Sequence, residues 1–271
     1  RFGDMLGLPQ ARTFMDSAQC KRLLRELIRA NGLFADLAAL GPDAGIERAT
    51  AFITECRHSA KTDRDAAAYL KAWESEHLGR IAGMSDADRQ VEEFRLRLFR
   101  DCARVFALFE RACMERGLLT YDHCLALPLR LMRERPVVAT ILRQEIRHIV
   151  VDEFQDEDRA QIAMLEMISP PRDDAGRGAD ICVVGDDDQA IYAFRGADDH
   201  SFRRFAEIWA DATTIPLTVN DRSGPALIAA ANAHIARCDE RFAPDKRIEA
   251  AGADRASSVE GVIVDANGIE G

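Results

Sequence analysis

The chain has 271 residues, of which 47% are hydrophobic and 30% are charged, and these values exclude a wholly disordered protein. Its formal net charge of -10 argues against a uniformly basic nucleic-acid-binding surface, although 36 lysines and arginines leave room for a local basic groove. The seven cysteines lack any C-x-x-C spacing, so we expect free, mostly buried thiols rather than disulfides or a zinc site. Since the sequence has no membrane-length apolar run and no signal-peptide pattern, we expect a cytoplasmic protein without membrane contact.

Helical periodicity dominates residues 1–116. After an irregular lead-in over residues 1–16, the pattern predicts helices over 17–31, 46–57, 63–77 and 85–116, with a break over 79–83. The last of these has an apolar stripe formed by Val91, Phe94, Leu98, Cys102, Val105, Phe109 and Ala112. Phe99 and Phe106 lie off this stripe and predict a second packed face. We therefore predict an all-helical subdomain, and its sequence contains no motif that indicates a catalytic or binding site.

From residue 117 onward, predicted strands alternate with predicted helices. Two helices over about 121–147 precede a β-branched strand, Ile149–Val151, which we expect to be buried. Further strands are predicted at 181–185, 213–219 and 259–264, with helices over 159–167, 198–209 and 224–236 between them. Alternation of this kind predicts an α/β fold with a parallel sheet and crossover helices.

Acidic side chains follow two of the predicted strands. Asp152 and Glu153 come directly after the first, where one carboxylate can hold a magnesium ion and the other can take a proton from water. Strand ends are often acidic only because they are solvated, so this pair alone is a weak signal. The second strand leads into residues 185–196 (GDDDQAIYAFRG), which combine acids, an amide, two aromatic rings and an arginine. This mixture suits a phosphate-bearing ligand beside a stackable base, or else a solvated acidic turn with two core rings.

Three segments, in the same order, resemble motifs of UvrD/Rep/PcrA-type superfamily 1 DNA helicases. The Walker B motif is similar to residues 151–156 (VDEFQD), the third motif to residues 184–197 (VGDDDQAIYAFRGA), and the fourth to residues 220–223 (NDRS) followed by Ala231-Asn232. A weaker similarity covers residues 120–125 (TYDHCL). The resemblance implies a RecA-like P-loop NTPase fold, with a helical 1B-like subdomain over 1–116, the second part of 1A over 117–215 and the start of 2A over 216–271.

The resemblance also implies roles in ATP hydrolysis, with ATP and Mg²⁺ as cofactors. Asp152 corresponds to the residue that helps to hold magnesium, and Glu153 to the residue that activates the attacking water. Gln189 corresponds to the residue that senses the γ-phosphate and links it to DNA. Arg222 corresponds to a residue that reaches the γ-phosphate from the second motor domain, like an arginine finger. A surface ion pair is the alternative for Arg222.

A DNA-binding role is implied for the end of the third motif. Tyr192 and Phe194 correspond to rings that stack on bases of single-stranded DNA, and Arg195 to a residue between the DNA and nucleotide sites. The expected partners are single-stranded DNA and duplex/single-strand junctions, and the sequence gives no indication of a protein partner. Two buried core rings are the alternative, and tryptophan is common in the family at the Phe194 position.

Two departures from the family pattern limit this interpretation. Asp221 stands where the family has a tyrosine expected to stack near the adenine. In addition, no G-x-x-x-x-G-K-[ST] loop occurs in the sequence, so we expect a fragment without ATPase activity of its own. A non-catalytic DNA-binding or regulatory module derived from a helicase is the main alternative. A third hypothesis is a two-metal nuclease built on Asp152, Glu153 and residues 186–188.

Overall fold

Nine α-helices, six short strands and four short 3₁₀ helices make up the regular structure in the part of the chain that the computed structural model describes. That part is residues 2–10, 12–81, 83–171, 180–192, 196–198, 200–238 and 241–252, with backbone only for 77–81. The helices are α1 Ser17–Asn31, α2 Ala44–His58, α3 Asp63–Ile81, α4 Asp86–Arg116, α5 His123–Glu134, α6 Pro136–Glu145, α7 Arg159–Ile168, α8 Ser201–Ile208 and α9 Pro225–Ile235. The strands are β1 Thr13–Phe14, β2 Leu118–Leu119, β3 His148–Val151, β4 Asp180–Val183, β5 Val219–Asn220 and β6 Glu249–Ala250.

Helices α1 to α4 share one hydrophobic core, and their ends follow local sequence signals. Asp16 and Gln19 form a capping box at the start of α1, and the Ser85 hydroxyl accepts the Asp88 N–H at the start of α4. The expected second face of α4 is confirmed, because Phe106 is buried and Phe99 packs edge-on against other aromatic rings. In the sequence, these four helices come before the strands β3 and β4, which are each followed by acidic residues.

Three expectations for the first 116 residues need correction. Helix α3 continues to Ile81, so the expected break does not interrupt the backbone at Gly79. Val91 is 50% exposed, because the first turns of α4 extend past the core that the stripe was expected to join. The lead-in is not wholly irregular, since β1 pairs in parallel with β2, immediately after α4. Two-residue strands carry too short a pattern to be recognised from sequence.

Strands β3 and β4 pair in parallel, as expected, with His148 opposite Asp180 and Val151 opposite Val183. Side chains of one face, including Val151 and Val183, pack with Phe154 and helices α7 and α8. The expectation of a buried strand is wrong, because Val150 on the opposite face is 73% exposed and Ile149 and Val151 are only half-buried. Because side chains alternate along a strand, only one face lies against the helices, and its residues are half-buried.

The third strand pair differs more from the expectation. Of the predicted strand over 213–219, only Val219 lies in a ladder, where it and the following Asn220 pair in parallel with β6. Pro216 has no N–H to donate to a ladder, and Ile215 and Leu217 are each 76% exposed. Strand β6 was not predicted, and the strand expected at 259–264 lies outside the described residues.

A buried ionic network joins the helical block to the start of α5. The Arg57 guanidinium donates to Glu110 Oε1 at 2.5 Å, to Thr120 Oγ1 at 3.0 Å and to Asp122 Oδ2 at 3.2 Å. His123, 1% exposed, lies 3.4 Å from the same Glu110 oxygen. Burial alone raises the pKa of Glu110, but the His123 hydrogen bond and the Arg57 charge outweigh it and lower the pKa to about 2. The sequence pattern indicated no catalytic or binding residues over residues 1–116, yet Arg57 and Glu110 of this range belong to a buried charged network.

All seven cysteines are free, as expected. Only Cys102 and Cys113 are fully buried, whereas Cys124, Cys182 and Cys238 are exposed, so the expectation of mostly buried thiols is wrong. Burial raises the pKa of Cys102 to about 11 and that of Cys113 to about 12, which keeps both as unreactive thiols. Across the described residues, no helix combines the length and the apolar character needed to cross a bilayer.

Candidate functional site

The carboxyl ends of β3 and β4 bring the two acidic segments side by side. The Val184 N–H donates to the Val151 carbonyl at 2.8 Å, and the Phe154 N–H donates to the Val184 carbonyl at 3.0 Å. Pairing therefore continues past both strands and holds residues 152–154 against residues 184–186. Parallel strands end at the same edge of a sheet, so this contact follows directly from the β3–β4 register.

Gln155 connects the two segments through its side chain. It is 3% exposed, and its Nε2 donates to Glu153 Oε2 at 2.6 Å while its Oε1 accepts the Asp186 N–H at 3.0 Å. Glu153 has a left-handed backbone with φ 51°, a conformation uncommon for residues other than glycine. Its carboxylate is thus held by a buried amide, and its N–H donates to Asp152 Oδ1 at 3.0 Å.

Gly185 makes this close approach feasible. A Cβ at this position would lie 2.9 Å from the Phe154 nitrogen and would overlap the Gln155 amide oxygen. We expect Gly185→Ala to destabilise the fold by roughly 1–3 kcal/mol, because either the backbone or the Gln155 bridge must shift. Urea unfolding of the purified variant measures this change.

Gly252→Ala is the matched control, because a Cβ at Gly252 has no neighbour within 4 Å among the described residues. A Gly185→Ala protein as stable as Gly252→Ala would show that the packing around Gln155 is less restrictive than described.

The carboxylates of residues 186–188 lie within 4.8 Å of one another and surround a lysine. Lys246 Nζ lies 2.5 Å from Asp186 Oδ1, 3.3 Å from Asp187 Oδ1 and 2.8 Å from Asp188 Oδ2. Arg241 adds a bidentate pair to Asp188, with both distances 2.8 Å. These cations lie where the nuclease hypothesis requires metal ions, so that hypothesis loses three of its five proposed carboxylate ligands.

The electrostatics of the two acidic segments differ. Burial by itself raises the pKa of Asp188, but hydrogen bonds from Arg241 and Lys246 outweigh it and lower that pKa. Burial also disfavours the charged form of Lys246, yet the surrounding aspartates raise its pKa above the usual value. Among the described residues, by contrast, no cationic side chain forms an ion pair with the exposed carboxylates of Asp152 and Glu153. The acid pair after β3 is thus the one open to a cation from solution.

Gln189 and Tyr192 follow the acidic cluster. Gln189 is exposed, and its Nε2 donates to Asp186 Oδ2 at 2.8 Å, which extends the hydrogen-bonded chain that starts at Glu153. Tyr192 is half-buried, and its carbonyl accepts the Ala197 N–H at 3.4 Å. The Asp198 N–H donates to the Glu157 carbonyl at 3.0 Å, so Asp198 lies beside the segment that follows β3. Phe194 and Arg195 lie outside the described residues.

Arg222 lies in the turn between β5 and α9. Asn220 Oδ1 accepts the N–H groups of Arg222 and Ser223 at 2.9 and 2.8 Å, which fixes this turn. Arg222 and Asp221 are both exposed. Arg222 belongs to the β5–α9–β6 unit, outside the Glu153–Gln155–Asp186–Gln189 series of hydrogen bonds seen in the described part of the chain.

A family model described as UvrD/REP helicase N-terminal domain matches residues 9–209, which is well over half of the chain. The chain belongs to this helicase family. The chain is 35% identical over 141 residues to the ATP-dependent DNA helicase UvrD1 of Mycobacterium tuberculosis. It is 33% identical over 151 residues to the DNA helicase II of Escherichia coli. It is 29% identical over 157 residues to the ATP-dependent DNA helicase PcrA of Staphylococcus aureus. These matches cover 52%, 56% and 58% of the chain but only 18%, 20% and 20% of the relatives, so the chain spans about a fifth of their length.

The match to the UvrD/REP helicase N-terminal domain includes the acid pair, Gln189 and Tyr192, whereas Arg222 and Lys246 lie beyond residue 209. Sequence reasoning missed the bridging role of Gln155 and the contribution of Arg241 and Lys246. Gln155 lies within the segment that resembles Walker B, residues 151–156, and its polar amide was the one signal of this role. Arg241 and Lys246 gave no such signal, because they meet the aspartates, which are 53 and 60 positions away in the chain, only in the folded protein.

Proposed function

We propose that this helicase-family chain is part of an ATP-dependent translocase that moves on single-stranded DNA and unwinds duplex DNA. The observation that carries the proposal is the hydrogen-bonded chain from Glu153 through Gln155 and Asp186 to Gln189. It joins the residue proposed to activate water with the residue proposed to sense the nucleotide. We also propose the RecA-like fold, the division into 1B-, 1A- and 2A-like parts at residues 116 and 215, and a cytoplasmic location.

The residues after β3 suit a magnesium–nucleotide complex. Asp152 and Glu153 are exposed carboxylates, and among the described residues neither is neutralised by a protein cation, so Asp152 would hold Mg²⁺ bound to ATP. The ion would neutralise phosphate charge during hydrolysis. The Gln155 amide orients the Glu153 carboxylate so that it can accept a proton from water. Arg222 would add positive charge from the second motor unit.

The residues after Gln189 suit single-stranded DNA. Tyr192, Phe194 and Arg195 together offer two rings and a guanidinium, which stack on bases without reading their identity. A motor that moves along any sequence needs this tolerance. The path from Gln189 to Tyr192 spans only three residues, so a change at the nucleotide can reach the DNA through a short segment.

We expect the chain to bind single-stranded DNA weakly, and the combined change Tyr192→Ala with Phe194→Ala to weaken binding by about tenfold or more. Base–ring stacking contributes roughly 1–3 kcal/mol per base, whereas phosphate contacts supply the salt dependence. Fluorescence anisotropy with a labelled oligothymidylate over a range of salt concentrations measures both the affinity and its salt dependence.

Tyr121→Ala is the control, because Tyr121 is 81% exposed and lies outside the third-motif segment. Equal affinities for the double variant and the control would show that the rings do not stack on DNA.

A non-catalytic DNA-binding or regulatory module is the second candidate. The exposed Asp221, where a stacking tyrosine is expected, favours it. Both candidates predict that the purified chain hydrolyses no ATP. They differ for the full gene product, which binds and hydrolyses Mg²⁺-ATP only if the motor proposal holds.

A further inference from the structure

The segment 241–246 lies between α9 and β6 and contacts every carboxylate of residues 186–188. Lys246 approaches all three, Arg241 pairs with Asp188, and the Phe242 N–H donates to Asp187 Oδ2 at 2.7 Å. The Arg241 and Lys246 side chains are only 5% and 14% exposed, which sets these ion pairs apart from ordinary surface pairs.

The segment is itself held in a defined shape. The Arg241 guanidinium also donates to the carbonyls of Pro244 at 3.0 Å and Lys246 at 3.3 Å. The Phe242 ring packs against Phe202 of α8 with 5.8 Å between ring centres. One guanidinium therefore closes the 241–246 turn and binds the aspartate cluster at the same time. A turn fixed in this way can impose a shape on its partner.

Its partner is the segment that begins with the three aspartates and leads to Gln189 and Tyr192. Asp186 Oδ1 accepts Lys246 and the Asp188 N–H, while Asp186 Oδ2 accepts the Gln189 amide. Three adjacent carboxylates repel one another, and without cations they would favour an open, solvated turn. Arg241 and Lys246 offset this repulsion in the observed conformation of the turn.

We propose that Arg241 and Lys246 are positioning residues that clamp the Asp186–Asp188 turn and thereby set the placement of Gln189 and Tyr192. The proposal rests on the proposed function in taking Tyr192 as a DNA contact. It adds the means by which the β5–α9–β6 unit acts on that contact, since both cations lie between α9 and β6.

The test uses the full 271-residue chain with Lys246→Met, Lys246→Arg and the double change Lys246→Met with Asp187→Asn. Lys71→Met is the matched control, because Lys71 is exposed on α3 and its loss changes the net charge equally. Two quantities are measured for each protein: amide hydrogen exchange of residues 186–192, and affinity for a labelled oligothymidylate by fluorescence anisotropy.

For Lys246→Met we expect at least about tenfold faster exchange confined to residues 186–192, and about tenfold weaker DNA binding, comparable to losing one base–ring contact. Lys246→Arg should restore most of both properties, and Lys71→Met should change neither. The double variant should remain defective, because it removes the excess negative charge without restoring the clamp.

Unchanged exchange at residues 186–192 in Lys246→Met would overturn the proposal, as would full recovery by the double variant, which would reduce the role to charge alone. Faster exchange spread evenly over the chain would also overturn it, since that pattern means general destabilisation. If the unaltered chain bound no DNA, the proposed function would fail at that point. The exchange data alone would then decide whether the clamp positions the segment.

Discussion

Glu153→Gln is expected to lower ATP hydrolysis by the full gene product by about 10²–10⁴-fold, because a neutral amide cannot take a proton from the attacking water. The Gln155 contact survives in part, since the new amide oxygen can still accept the Gln155 N–H. ATP binding should change little, so the loss should appear in kcat rather than in KM. Steady-state hydrolysis with saturating single-stranded DNA measures both constants.

Glu166→Gln is the matched control, because Glu166 is exposed on α7 and the change removes the same charge. Equal rates for Glu153→Gln and Glu166→Gln would remove Glu153 from the mechanism. A selective rise in KM for Glu153→Gln would instead assign it to nucleotide binding. Neither result bears on the stacking role of Tyr192, which is tested by DNA affinity alone.

Glu110→Ala is expected to destabilise the fold by about 3–5 kcal/mol, because it leaves the buried Arg57 guanidinium without its nearest carboxylate. Much of a small domain's stability would thereby be lost. Urea unfolding followed by circular dichroism measures the change. Glu74→Ala is the control: Glu74 pairs with Arg100 at the same 2.5 Å but with side chains 29% and 51% exposed, and should cost less than about 1 kcal/mol.

The same network predicts the acid sensitivity of the fold. The pKa of Glu110 is lowered from 4.5 to about 2 in the folded protein, so the folded state favours the ionised carboxylate. Its contribution to stability is complete above about pH 4.5 and is lost as the pH falls towards 2. Glu110→Ala should therefore lack this part of the acid unfolding profile. Identical profiles for both proteins would show that the network does not hold Glu110 ionised.

Local signals in the sequence predicted much of the secondary structure. Capping residues such as Asp16 and Ser85 and the period of apolar residues fixed most helix boundaries to within a few positions, because helices are stabilised by contacts between near neighbours. Strands were harder. The predicted strand around Pro216 is mostly absent and β6 was missed, because a strand of two residues forms only when a partner from another part of the chain lies beside it.

By itself, the amino-acid sequence determined the helicase-family motifs, the order of the predicted site residues, the free cysteines and the parallel pairing of β3 with β4. These depend on residue identity and on short-range pattern. Only the tertiary structure decided that Gln155 joins Glu153 to Asp186, that Arg57 and Glu110 form a buried pair, and that Lys246 fills the aspartate cluster. Gln155 and Asp186 are 31 residues apart in the chain, and the Arg57–Glu110 and Lys246–Asp186 pairs are each more than 50 residues apart. Spacing in the sequence cannot show that side chains so far apart will meet.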